Sequence, residues 1–171
     1  LTPSCALMLK FEWPLLVPDD ANVKRLSAAT RDVAEFVVGI ARSEGLAEGL
    51  GPLDGPVALH LACHARAQNI GPKAAEMLNL IPGADVTMIE RCSGHGGAWG
   101  VEKDNFEVAL KVGKPAARRA KEANAAWVAS ECPLAADHIA QGIEQLEPGA
   151  KAPPAVHPIE LFARAYGLEF G

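Results

Sequence analysis

The sequence predicts an α/β fold, a mostly parallel sheet with helices on both faces and cysteines at the C-terminal ends of the strands. Three observations carry that expectation. Short apolar runs of strand length recur at 57–62, 85–90 and 125–130, each bounded by glycine, proline or polar turn residues. Segments with helical spacing lie between them, the alternation that builds a parallel sheet covered on both sides. Each run leads into a cysteine: Cys63, Cys92 and Cys132. In open α/β sheets ligands collect beyond the carboxyl ends of the strands, so three thiols far apart in sequence can meet there.

The elements follow in order. Cys5 stands in Pro3-Ser4-Cys5, just before a helix, and joins the other three as a fourth thiol. The chain starts without methionine inside what reads as a site loop, which predicts a C-terminal piece of a longer protein with a strand before Cys5 supplied elsewhere. Residues 20–43 read as one amphipathic helix. Val23, Leu26, Val33, Phe36, Val37 and Ile40 share a face, and Asp19-Asp20 caps the start. Residues 45–56 hold four glycines and two prolines and form a connector. Strand 57–62 follows, then a helix over 72–80 with Pro72 in its first turn. Pro82-Gly83 turns the chain into strand 85–90. Ser93 to Gly100 is a glycine-rich loop, and a helix over about 104–123 carries Pro115, which predicts a kink or break. Strand 125–130 leads to Cys132 and a helix over 133–146. Residues 148–158 read as a proline-rich linker to a last amphipathic helix over 159–168, with His157 as its cap. All 171 residues suit one cysteine-rich domain.

Composition excludes several function classes. A hydrophobic content of 49% excludes a disordered chain, and a net charge of −5 argues against a sequence-independent nucleic-acid binder. No apolar run approaches a membrane span, and no signal peptide is visible. A domain with a full core has little need of disulfides, so the four thiols read as reduced, cytoplasmic and available to metal.

The chemistry then turns on sulfur. Unpaired N–H groups at helix starts favour thiolates. Converging thiolates repel one another without a cation, and an iron–sulfur cluster or zinc resolves the conflict. Structural zinc usually takes ligands in close pairs, and no C-x-x-C occurs here, so spacing favours the cluster and keeps zinc as the alternative. Glycines after Cys92 let backbone N–H groups approach cluster sulfurs. His64 and His95 read as second ligands or hydrogen-bond partners, or as ordinary loop residues. Arg66 and Gln68, in the loop after Cys63, read as anion- or cluster-binding groups or a solvated turn. Ser93 lies beside Cys92, and Trp99 can shield the site or simply pack. His60 reads as a packed strand residue and His138 as a satisfied helix histidine. The glycine-rich loop fails as a dinucleotide fingerprint because Trp99 takes the last glycine's place. No P-loop G-K-[ST] follows, and Ser93 lacks a G-x-S-x-G elbow.

Cys63-His64-Ala65-Arg66-Ala67-Gln68, Glu90-Arg91-Cys92-Ser93-Gly94-His95-Gly96-Gly97 and Glu131-Cys132-Pro133-Leu134-Ala135-Ala136-Asp137-His138 resemble the CCG-type cysteine-rich domain of iron–sulfur oxidoreductases. Pro3-Ser4-Cys5 and His157-Pro158-Ile159-Glu160-Leu161 are similar to that family as well. The resemblance implies an electron-transfer subunit with an iron–sulfur cluster, of 4Fe-4S or 2Fe-2S type, on Cys5, Cys63, Cys92 and Cys132. It implies relay between a flavin-containing dehydrogenase subunit and a quinone or other acceptor, in the cytoplasm or at the inner face of the membrane through a parent complex. The pattern also departs from the family's. Ser93 replaces the second of its paired cysteines, and Ala135 closes what is often C-x-x-C. Both departures weaken the case for the heterodisulfide-reducing activity known among more distant members and leave four thiolates for a conventional cluster.

Overall fold

The computed structural model describes residues 2–168. Four strands, β1 (Val57–His60), β2 (Val86–Ile89), β3 (Trp127–Ser130) and β4 (Ala155–Val156), form one sheet in the order β2-β1-β3-β4 with every pairing parallel. The three longer strands are each one or two residues shorter at an end than the apolar runs that announce them.

Strand alternation divides the core into two layers. Val57, Leu59 and Ala129 point to one side and pack with α4 (Val33–Ser43), α6 (Lys73–Leu78) and α9 (Pro158–Ala165), through Ala34, Val38, Met77, Leu78, Leu161 and Phe162. Ala58, Ile89 and Val128 point to the other and pack with α7 (Phe106–Glu122) and α8 (Pro133–Leu146), through Ala116, Ala117, Ala120, Ile139 and Ile143. Alanine dominates that second layer, so α7 and α8 come close. A Cβ at Gly142 would stand 2.9 Å from the Ala117 methyl. Helices cover both faces, as the sequence predicts.

Several elements differ from expectation. The helix expected over 20–43 is two, α3 (Ala21–Ala29) and α4, broken at Thr30-Arg31-Asp32. Asp20 caps α3 by accepting from Asn22 and Val23, and Asp32 caps α4 in a capping box with Glu35. Apolar spacing runs across the break because the two caps need only three residues. The expected apolar face shifts too: Leu26 and Phe36 are exposed, while Ala34 and Val38 are buried.

Cys5 lies inside a helix rather than before one. α1 (Pro3–Leu7) continues through a wider turn over Met8–Glu12 into α2 (Trp13–Leu16). Pro14 lacks the N–H that the Lys10 carbonyl would accept in a regular helix. The Ser27 hydroxyl donates to that carbonyl instead, at 2.6 Å, and ties this segment to α3.

α7 stays one continuous helix through Pro115. A single turn over Trp99–Val101 interrupts the glycine-rich loop. The proline-rich segment 148–158 leads to the last helix and also supplies β4, beside β3. His157 caps α9: its ring accepts from the Ile159 N–H while Glu160 accepts from the His157 N–H. No helix among the described residues is long and apolar enough to cross a membrane.

Candidate metal centre

The register of the sheet sets the geometry. His60, the last residue of β1, is level with Ile89 at the end of β2 and with Ser130 at the end of β3. Cys63 and Cys92 follow three residues beyond those ends and Cys132 follows two beyond. Three neighbouring strands, spaced roughly 4.8 Å apart, therefore deliver one cysteine each to the same rim of the sheet. Cys63 opens α5 (Cys63–Ala67), and Cys132 is the residue from which α8 starts, with Pro133 in its first position.

Hydrogen bonds join the three junctions. The buried His60 ring stands 3.0 Å from the Ser130 hydroxyl through Nδ1 and 2.9 Å from the Arg91 carbonyl through Nε2. A carbonyl only accepts, so Nε2 carries the proton and Nδ1 accepts from Ser130. Ser130 Oγ in turn accepts from the Cys132 N–H at 3.3 Å. Burial lowers the pKa of His60, which agrees with a neutral ring. A second bond crosses the rim: the Ala62 N–H, one residue before Cys63, donates to Glu131, one residue before Cys132, at 3.2 Å. Burial pushes the Glu131 carboxyl up to about 7 despite that bond. Neither His60 nor Glu131 stands out in the sequence as part of a site. Only the register brings His60 to Ser130 and Arg91.

The glycine-rich loop folds back over Cys132. Nδ1 of His95 stands 2.9 Å from the Gly97 nitrogen and 3.1 Å from the Gly97 carbonyl oxygen, and its Nε2 faces the Cys132 sulfur at 3.6 Å. The base of the loop is pressed against α7. Ser93 and Gly94 are buried, and Gly94 adopts φ +91°, where a Cβ would stand 2.6 Å from the Gly113 nitrogen. A side chain at Gly113 would collide with the Ser93 carbonyl. The loop is thus locked where glycine alone lets two backbones meet.

The other expected residues divide. Cys5 is exposed and receives a hydrogen bond from the Thr2 hydroxyl at 3.3 Å; its helix α1 packs on α5, which Cys63 opens. Cys63 and Cys92 are exposed and Cys132 is half-buried. His64 is exposed beside Cys63, and Trp99 is half-exposed over Gly96. Arg66 lies in α5 rather than in a loop, and pairs loosely with Glu90 at 3.8 Å on the surface. Gln68 does not face the thiols. It is buried, donates to Asp32 at 3.2 Å and accepts from Lys10 at 3.3 Å; Lys10 also donates to Glu35 at 2.9 Å. Burial works to raise Glu35, but its bonds to Lys10 and to the Asp32 backbone outweigh it and hold the carboxyl low. This buried network fastens the Cys5-bearing segment to α4 and to the end of α5. His138 is buried edge-on to Phe106, at 5.8 Å between ring centres, and lies against α7 near Ala109.

All four cysteines are free. Among the described residues, no three of the histidine, cysteine and carboxylate side chains are grouped to hold a single metal ion. A tetrahedral zinc with Zn–S bonds of about 2.3 Å requires sulfurs roughly 3.8 Å apart, whereas a multi-iron cluster accepts a wider set of thiolates. The donor set is sulfur: four free cysteines, three of them just past level strand ends, with the His95 ring beside Cys132.

Residues 57–135, which span β1 to the start of α8 and hold Cys63, Cys92 and Cys132, match the family model of the CCG cysteine-rich domain. The chain is also similar to a subunit of anaerobic glycerol-3-phosphate dehydrogenase from Escherichia coli K12, 28% identical over 132 residues, which are 75% of this chain and 32% of that protein. The same figures hold for its counterpart in the O157:H7 strain. An uncharacterized iron-sulfur protein of Methanocaldococcus jannaschii is 34% identical over 98 residues, 56% of this chain and 20% of that protein. The chain spans about a third of the length of the glycerol-3-phosphate dehydrogenase subunits it matches.

Proposed function

We propose that this chain, carrying a CCG cysteine-rich domain over residues 57–135, holds an iron–sulfur cluster on Cys63, Cys92, Cys132 and Cys5 and serves as the electron-transfer domain of an oxidoreductase. The observation that carries the reading is the set of three cysteines just past level strand ends, cross-bonded through His60, Ser130 and Glu131. The printed names of the relatives support it: one is an iron-sulfur protein and two are subunits of a dehydrogenase.

When bound, such a cluster takes up and releases one electron at a time. The chain's own groups define the rest. His60 and Glu131 hold the three cysteine-bearing junctions level. With its proton on Nε2, His95 donates to the Cys132 sulfur, and a hydrogen bond to a ligating sulfur raises reduction potential by spreading its negative charge. Exposed Cys5, Cys63 and Cys92 keep one side of the centre open to a partner, so electrons need not cross the core. The partners that fit are a flavin-containing dehydrogenase subunit as donor and a quinone or other carrier as acceptor, in a compartment that keeps thiols reduced. Disulfide reduction of the heterodisulfide type has less to rest on, because Ser93 and Ala135 stand where two further thiols would be needed. A zinc-holding structural role has less to rest on, because the sequence holds no C-x-x-C pair.

Anaerobic reconstitution with iron and sulfide tests the reading. It should give a brown protein whose visible absorption bleaches with dithionite. A colourless protein that takes up one zinc per chain and no iron would overturn it.

A further inference from the structure

A cavity of about 240 Å³ opens beyond the carboxyl ends of β1 and β2, against α5, and none of the four cysteines lines it. Its apolar walls are Leu61, Ala65, Pro72 and Met88. Its lip is shaped by Asn69 and Gly71, both with positive φ, 55° and 81°. Arg66 and Glu90, paired at 3.8 Å and both more than half exposed, are also part of the lining. One lining group is of another kind. Glu131 is only 5% exposed, and its Oε2 already accepts from the Ala62 N–H. Among the described residues its Oε1 has no hydrogen-bond partner, and the residue lines the cavity. A carboxyl oxygen held on a buried side chain at the end of an apolar slot is a built recognition feature, because a ligand group that cannot hydrogen-bond to it loses that bond in a site with little competing water.

The position suits a ligand. The connection from β1 runs to β2 on one side and that from β3 to β4 on the other, so the strand order reverses between β1 and β3, and Leu61 and Glu131, just past those two strands, both line the cavity. Crevices at such reversals are where open α/β sheets bind small molecules.

We infer that this cavity binds a small neutral molecule with an apolar ring and a hydroxyl that hydrogen-bonds to Glu131 Oε1. The walls select the ring. The carboxyl selects a hydroxyl, which can donate or accept, over a methyl group of the same size. Arg66 beside Glu90 leaves the mouth without net charge, which favours neither an anion nor a cation. The site does not depend on which metal the thiols hold, although α5 links the two: Cys63 opens that helix, and Ala65 and Arg66 line the cavity.

Ligand-observed saturation-transfer NMR on the full chain, with phenol as the probe, tests this. Phenol should bind saturably, with a dissociation constant of about 1 mM or below, and toluene at least about tenfold more weakly. Met88→Trp, at a half-exposed position, should fill the slot and weaken phenol at least about tenfold. Glu131→Leu, of similar size and without a polar atom, should narrow the difference between phenol and toluene. Absence of saturable phenol binding, equal affinity for toluene, tighter binding of benzylammonium than of phenol, or unchanged binding in both variants would overturn the inference. Iron content does not enter the readout, so failure here leaves the electron-transfer reading untouched, and the converse also holds.

Discussion

Gly113→Ala is expected to destabilise this protein, although the same change in an uncrowded helix stabilises. Gly113 sits in the middle of α7, where alanine has a helix propensity about 1 kcal/mol better than glycine. The new methyl, however, would stand 3.0 Å from the Ser93 carbonyl carbon and closer still to its oxygen, with His138 Cδ2 at 3.5 Å on another side. These are backbone atoms of a buried loop that cannot swing away as a long side chain does. Overpacking of that kind costs about 1–3 kcal/mol, and the crowding of a main-chain carbonyl argues for the upper half of that range. The propensity gain offsets part, which leaves a net loss of about 1–2 kcal/mol, or a fall in melting temperature of about 2–8 °C for a chain of this size. Urea unfolding followed by circular dichroism measures it. The loop that must shift carries Cys92 and His95, so the variant should also take up less iron on reconstitution than wild type. A Gly113→Ala protein as stable as wild type or more stable, with undiminished iron, would refute the argument that α7 seats the Cys92 loop.

Two further predictions concern buried polar groups. Glu131 has its pKa raised from 4.5 to about 7, so the folded state holds a proton there that the unfolded state has released. Its contribution to stability is therefore present below about pH 4.5 and is lost as pH rises toward 7, by about 3 kcal/mol at most. Burial lowers His60, His138 and His157, which gives a slope of the opposite sign near their ordinary values, so the difference between wild type and Glu131→Gln isolates the effect. In the metal-free, reduced chain that difference, measured by denaturant unfolding between pH 5 and 8, should shift in favour of Glu131→Gln as pH rises; a flat difference contradicts it. Gln68→Leu should cost about 1–3 kcal/mol, because Asp32 loses a donor and Lys10 an acceptor in a buried network; a change below about 0.5 kcal/mol in the same assay would mean that Gln68 is not what fastens the Cys5 segment.

Much of this architecture is legible in the chain because its signals are local. The runs before Cys63, Cys92 and Cys132 are short, apolar and ringed by turn residues, and the helix over 133–146 is bounded by Pro133 and the Pro148-Gly149 turn, so its limits fall where expected. Local signals also explain the errors. The break at 30–32 lies under an uninterrupted apolar period, although Asp32-x-x-Glu35 is a readable capping box. β4 is two residues among prolines and exists only through its pairing with β3. The site residues that sequence does not reveal are those defined by long-range partners. Gln68 is occupied by Lys10 and Asp32, His60 by Ser130 and Arg91, and Glu131 by Ala62, at separations of dozens of residues. Cysteine spacing points to the centre but says nothing of the bonds that keep its loops level.

The central claim is that the thiolates past the level strand ends, with Cys5, hold one iron–sulfur centre. The direct measurement is iron and acid-labile sulfide per chain in anaerobically reconstituted Cys63→Ala, Cys92→Ala and Cys132→Ala variants beside wild type, with circular dichroism as a check that the sheet persists. Folded proteins that have lost most of their iron and sulfide are expected in all three. Iron and sulfide equal to wild type in the Cys63 and Cys92 variants would contradict it.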